Sequence, residues 1–399
     1  MRAASAPRRV VVTGIGAVSG PGRGVEALWS ALVRPTDGPV VPTLDWFDAS
    51  DWFEHRDRRR TDQHIQFAVA AATEAVAVAG MPDVDPFRRA VVFGNGWGGT
   101  ATIAREVRQF DADPRAVSGV SAPMVAIGAV ASWLARRFEC RGEVWSLGAA
   151  CAGGAASIAT AARMLADGHC DVAIAGGSEG DPEPWVSAAF ENLRICEHGI
   201  VRPFDVRRAG FAQAGGAGAV LLEPLEQAEA RGARVLAEVL GAVVTNDAGN
   251  FLAPAVEGAE RTMRLALHDA ELDPAHIVAI NAHGTGTEVN DRVESQAIVG
   301  VFGPSGPMVT SVKGRIGHVI SGAGALEAVA VVHSFATALV PPVAVDFESD
   351  PEIAADVVSG APRPLPDGPV LSNSFGMGGH NACLVLAPPG WLDRSAARG

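Results

Sequence analysis

The sequence has no tyrosine and a single lysine, Lys313, although lysine and arginine together number 32. Where a composition avoids lysine this strongly, the one that remains answers a need arginine cannot meet, such as a compact ammonium in a polar network. Cysteine is scarce. The five residues Cys140, Cys151, Cys170, Cys196 and Cys383 are odd in number and contain no C-x-x-C pair. That argues against a disulfide framework and a zinc site, so no metal is expected. Positive charge is outweighed, with a net of −13, which disfavours nucleic acid and anionic membrane as partners. No apolar run approaches the roughly 18 residues of a membrane span. The basic start MRAASAPRR leads straight into VVVTGIGAVSG, which reads as strand and turn and not as a signal peptide. A cytoplasmic protein is expected.

What is present is a long alternation of strands and helices. Of 399 residues, 48% are hydrophobic and 19% charged, ample for a large core. Strands are expected at 9–14, 90–94, 144–147 and 170–176, those at 9–14, 144–147 and 170–176 buried, and helices at 24–32, 62–79 and 122–138. Residues 35–60 read as irregular. A second round follows from strand 235–244, with helices at 257–270, 290–301 and 321–339 and final strands near 369–374 and 382–387. Such alternation indicates an α/β fold whose strands are buried on both faces. Two similar rounds, 1–232 and 233–399, suit an internally duplicated layered fold in one compact unit, although no residue-level repeat is visible.

The chain turns on Val144-Trp-Ser-Leu-Gly-Ala-Ala-Cys-Ala-Gly-Gly154. A strand, a tight turn and an Ala-rich helix place Cys151 at or beside a helix N-terminus, where unpaired N–H groups and the macrodipole favour a thiolate. The residue is either a nucleophile or a small hydrophobe packed in an Ala/Gly helix. Three further motifs bear on the choice: Asn281-Ala-His-Gly-Thr-Gly-Thr287 with Asp291 and Glu294 after it, Ser311-Val-Lys-Gly-Arg-Ile-Gly-His318, and Asn373-Ser-Phe-Gly-Met-Gly-Gly-His-Asn381. In α/β sheets, sites collect on loops at the carboxyl ends of strands. A cysteine, two histidines and a lysine on such loops suit acyl transfer through a covalent thioester.

These motifs, in this order and together with RRVVVTGIG, AACAGG, RPFD and GFAQAGGAGAVLLE, resemble the beta-ketoacyl-[acyl-carrier-protein] synthases of the thiolase superfamily over nearly the whole chain. The resemblance implies a thiolase-like duplicated α-β-α-β-α fold. It implies a ketosynthase that condenses an acyl thioester with malonyl-acyl carrier protein in type II polyketide or fatty-acid biosynthesis. It assigns Cys151 as acyl acceptor and His283 and His318 as the pair on the malonyl thioester oxygen. Lys313 resembles the lysine that holds a network with an acid, for which Glu294 matches, with Asp291 in support. Thr285 and Thr287 resemble the residues that bind the phosphopantetheine arm. Phe375 matches the gatekeeper whose N–H would join that of Cys151 in an oxyanion hole. No cofactor is implied, because substrates arrive on the phosphopantetheine of the carrier.

Several positions depart from the family's commonest sequence. Ala149, Ala152 and Gly153 remove hydroxyls near the sulfur. Trp97 stands where a smaller residue usually lines the acyl pocket, and either reshapes that pocket or packs elsewhere. The basic cluster Arg56, Arg58, Arg59 and Arg60 is the candidate dock for the acidic carrier. A homodimer, or a heterodimer with a chain-length-factor-like subunit, is expected. Two other readings stand beside an active synthase: a non-catalytic partner subunit, which characteristically lacks the nucleophile, and an acyltransferase on the same fold.

Overall fold

Val10–Ser19 is a strand buried along its whole length, as its β-branched start and small-residue end allow. Around it the chain builds one broad mixed sheet. The computed structural model describes residues 7–34 and 43–396. The hydrogen-bonded path runs Asp356–Val357, Met308–Thr310, Ala279–Asn281, Val370–Gly376, His380–Ala387, Ala237–Asn246, Val10–Ser19, Gly216–Pro224, Val172–Glu179, Arg89–Asn95, Val144–Leu147.

The sense of pairing repeats within this path. From Val144–Leu147, successive neighbours pair parallel, parallel, antiparallel and antiparallel to reach Val10–Ser19. From Met308–Thr310 the same four senses lead to Ala237–Asn246. Each half also visits its strands in the same chain order, so topology carries the duplication that residue identities have lost. The halves join where Val10, Val11 and Val12 pair with Val239, Glu238 and Ala237.

Two helices, Gly153–Ala166 and Ala323–Thr337, pack on each other and touch strands of both halves, forming the middle layer. Small residues make this possible. A Cβ on Gly154 would lie 2.8 Å from both Ala325 N and Ser321 O, and one on Gly324 would lie 2.9 Å from Ala155 N. The helices meet backbone to backbone. Gln63–Ala79 and Ala129–Phe138 cover the outer face of the first half, and Val256–Asp269 and Glu288–Phe302 that of the second.

Some expectations change. The helix expected at 122–138 is two, Ser121–Val125 and Ala129–Phe138, interrupted around Gly128. A helix at Thr100–Ala112 was unforeseen, and its apolar stripe of Ile103, Val107 and Phe110 lies in solvent. Strand Val144–Leu147 is not buried but lies at the sheet edge, with Trp145 53% exposed. The segment Ile320–Thr337 is long and apolar enough to cross a membrane, yet 78% of it is buried inside the structure. Within the irregular stretch, Ala49–Asp51 and His55–Arg58 form short helical turns, while residues 35–42, like residues 1–6, lie outside the described residues.

Gly154→Ala should destabilise the fold by about 1–3 kcal/mol through overpacking. Gly119→Ala, whose Cβ meets nothing within 4 Å, should stay within about 0.5 kcal/mol. Denaturant midpoints of the two variants check the contrast.

Candidate active site

Ala150 adopts φ +44°, a left-handed conformation that a side chain disfavours. This kink ends the approach from Val144–Leu147 and starts the short turn Ala150–Ala152, which runs into helix Gly153–Ala166. Cys151 therefore sits on the first turn, 6% exposed, facing a cavity of about 440 Å³. Burial pushes its thiol up to about 11, while the Lys313 ammonium and the amide N–H groups of Met377 and Cys151 pull it down. The resting group is a thiol, and the amide donors lie where a negative charge on sulfur would form.

His283 follows strand Ala279–Asn281. Glu294 shapes its loop, with Oε1 accepting from His283 N and Oε2 from Gly284 N, both at 2.8 Å. Asn373 Nδ2 donates to the same carboxyl at 3.1 Å. Asp291 continues this bracing by accepting from Phe204 N at 2.7 Å and Gly286 N at 3.2 Å. Burial raises Glu294 to about 7 and Asp291 to about 6, opposed by these donors.

Lys313 is fully buried. Its Nζ donates to His283 O at 2.6 Å, lies 3.3 Å from His283 Nδ1 and forms an ion pair with Glu327. The acid that Lys313 holds is thus Glu327, and the expected pairing with Glu294 does not form. Both carboxylates are buried, but Glu294 is spent on backbone amides, whereas Glu327 rises from the central helix to the ammonium. The His283 and His318 rings stand 5.4 Å apart at 80°. Burial, and then the Lys313 charge, hold both well below the usual imidazole range, so both are neutral. With Lys313 donating to Nδ1, the His283 proton sits on Nε2, which makes that atom a donor.

The cavity wall includes Cys151, His283, His318, Thr285, Thr287, Phe375 and Met377. Thr285 Oγ1 and Thr287 Oγ1 lie 2.8 Å apart. Phe375 is buried with its ring 6.0 Å from His283. The amide brought to the sulfur is that of Met377, not Phe375. Phe375 lies inside strand Val370–Gly376, whereas Met377 opens the turn beyond it, and a Cβ on the intervening Gly376 would lie 3.1 Å from Cys151 N.

Trp97 is not on the cavity wall. Its indole is 37% exposed and meets Phe190 edge-on at 6.3 Å, and Phe190 lines the cavity. None of Arg56, Arg58, Arg59 and Arg60 lines the cavity. They lie on and after the turn His55–Arg58, with Arg58 3.9 Å from Asp48. Among the described residues, no cluster of His, Cys, Asp or Glu could hold a metal ion. Sequence reasoning missed Glu327 and Met377. The signal for the first was a lone acid within the apolar run ISGAGALEAVAVV.

A thiol at a helix start, amide donors beside it and two neutral imidazoles in one cavity define an acyl-transferring enzyme of the thiolase-like fold. The comparisons place it further. The Beta-ketoacyl synthase, N-terminal domain matches residues 42–228 and the C-terminal domain residues 236–345. "Nodulation protein E" of Rhizobium leguminosarum bv. trifolii is 36% identical, covering 95% of this chain and 99% of the relative. "3-oxoacyl-[acyl-carrier-protein] synthase 2" of Rhizobium meliloti (strain 1021) is 35% identical, covering 95% and 98%. Among solved structures, "The ishigamide ketosynthase/chain length factor" superposes with a TM-score of 0.91 at 34% identity, covering 96% of this chain and 100% of that one. A type II PKS ketosynthase in complex with its acyl-carrier protein superposes with a TM-score of 0.86 at 26% identity, covering 96% and 99%. The chain belongs to the beta-ketoacyl synthase family, and is a ketosynthase of fatty-acid or polyketide biosynthesis.

Lys313→Met should destabilise the protein by about 3–5 kcal/mol, because it leaves Glu327 buried and unpaired. Lys313→Met combined with Glu327→Gln should recover most of that stability. Neither variant should recover malonyl decarboxylation, because His283 Nδ1 has lost its donor. Denaturation midpoints and carbon dioxide release separate the two effects.

Proposed function

We propose that Cys151 accepts an acyl group from an acyl carrier protein and that His283 and His318 then drive condensation with malonyl carrier protein. The observation that carries this reading is the meeting of the sulfur with two neutral imidazoles in one cavity, one of them held in a fixed tautomer by Lys313. In the first step the Cys151 sulfur attacks the donor carbonyl. The bond to the carrier sulfur breaks, and the pantetheine thiol leaves with the Cys151 proton. Thr285 and Thr287 hydrogen-bond the pantetheine arm. In the second step the carboxylate leaves as carbon dioxide when the malonyl carbon–carboxylate bond breaks. Its electron pair passes into an enolate whose oxygen accepts hydrogen bonds from the two imidazoles, a charge best stabilised by fixed donors in a site without water. The enolate carbon attacks the acyl-Cys151 carbonyl, whose oxyanion meets the amides of Cys151 and Met377. The carbon–sulfur bond then breaks, and Cys151 takes up a proton. Phe375 packs behind His283 as part of the gate.

The acyl end of the cavity lies among Phe190, Phe211 and Ile320. Trp97 backs Phe190 and limits the chain there. Arg56, Arg58, Arg59 and Arg60 dock the acidic carrier, a contact that salt weakens. The exposed stripe Ile103, Val107 and Phe110, 38%, 55% and 56% exposed, supports a subunit interface with a second copy or a chain-length-factor-like partner. The halves 1–232 and 233–399 work as one cytoplasmic unit without a bound cofactor.

Intact-protein mass spectrometry with acyl carrier donors should show an adduct on Cys151 that Cys151→Ala abolishes and malonyl carrier protein discharges. A chain that takes no adduct from any donor would instead be a non-catalytic subunit. Reversing charge at Arg59 and Arg60 should weaken carrier-dependent acylation about tenfold, as loss of paired rim charges does, and leave acylation by small-molecule thioesters unaltered.

A further inference from the structure

The fold contains its nucleophile turn twice. Ile320 has φ +43°, as Ala150 has +44°. Each residue opens a short turn, Ala150–Ala152 or Ile320–Gly322, that runs into a central helix. Ser321 thus stands in the second half where Cys151 stands in the first. Each turn presents its amide to the end of a strand of the opposite half. Cys151 N faces the end of Val370–Gly376. The Ser321 amide meets the end of the corresponding strand, Val172–Glu179. In the first case the amide is open to the cavity. In the second it is occupied by the side chain of Glu179.

Glu179 is 3% exposed, and amide N–H groups converge on its carboxyl. Oε2 accepts from Gly96 N at 3.0 Å and Oε1 from Trp97 N at 3.3 Å, and the Ser321 amide faces the same carboxyl. We infer that Glu179 positions the acyl-chain wall of the enzyme, by binding the Gly96–Trp97 backbone to the start of the helix that follows His318. The fit is close: a Cβ on Gly96 would lie 2.7 Å from Glu179 Oε2 and 3.3 Å from Ile320 Cγ2. Ile320 belongs to the same apolar cluster as Cys151, Phe190 and Phe211. One carboxyl therefore ties the loop that carries Trp97 to the wall beside the nucleophile. Its effect on substrate passes through the indole and Phe190. The inference rests on the reading of Trp97 as the limit of the acyl pocket.

The test is the ratio of Cys151 acylation rates with hexanoyl and dodecanoyl carrier protein, in wild type, Trp97→Ala, Glu179→Gln and the double variant. Glutamine keeps the volume but turns an N–H₂ group towards amides that need an acceptor. Trp97→Ala should shift the ratio about tenfold towards the longer chain, the scale on which apolar pockets discriminate. Glu179→Gln should shift it the same way, and the double variant no further. If Trp97→Ala shifts the ratio while Glu179→Gln slows both donors equally, Glu179 is merely structural and the inference falls. If Trp97→Ala leaves the ratio unmoved, the pocket reading fails, and a shift from Glu179→Gln alone would overturn the route through the indole. Should Glu179→Gln not fold, Gly96→Ala presses on the same contact and is read by the same ratio.

Discussion

The contact between the two central helices is the constraint on which the site depends. Because Gly154 and Gly324 carry no side chain, Gly153–Ala166 and Ala323–Thr337 meet at backbone distance. The sulfur at the start of one helix is thereby brought close to His318, which lies just before the start of the other. Lys313 and Glu327 then lie on either side of that second start. Bulkier residues at the crossing would part the nucleophile from the groups that handle the second substrate, even with every motif residue kept.

Close packing also sets the electrostatics. Charges are costly to bury unless paired and hydrogen-bonded, and the centre of this protein holds several. Lys313 is balanced by Glu327 and by the carbonyl of His283. Glu294 and Asp291 are balanced by backbone amides and by Asn373 and Asn290. The histidines escape the cost by staying neutral, which is the form in which each has one N–H to give. Glu294 and Asp291 thus serve as braces for loops, and Lys313 reaches the His283 ring.

Much of this was legible from the residues. Strand and helix alternation predicted the layers, since long apolar segments such as Gln63–Ala79 keep their periodicity whatever surrounds them. The loops bearing Cys151, His283 and His318 were marked by glycines and by short polar motifs. The helix Thr100–Ala112 was missed although Ile103, Val107 and Phe110 stand at i, i+4 and i+7, the spacing of an amphipathic helix; in the fold that stripe faces solvent. The acid beside Lys313 was misplaced because the family resemblance was carried to Glu294, in the motif next to His283. Glu327 sits within an apolar helix, and only three-dimensional packing shows that it crosses to the ammonium. The amide beside the sulfur was misplaced by two residues, from Met377 to Phe375, because the turn after strand Val370–Gly376 determines which N–H points inward.

The single lysine has a consequence outside catalysis. Lys313 is wholly enclosed, so the folded protein offers no lysine side chain to solvent. Amine-directed labels, lysine acylation and isopeptide attachment have no side-chain target on its surface. Modification of Lys313 by such a reagent therefore reports opening of the core, and a time course of labelling becomes a clock for unfolding with one built-in hand.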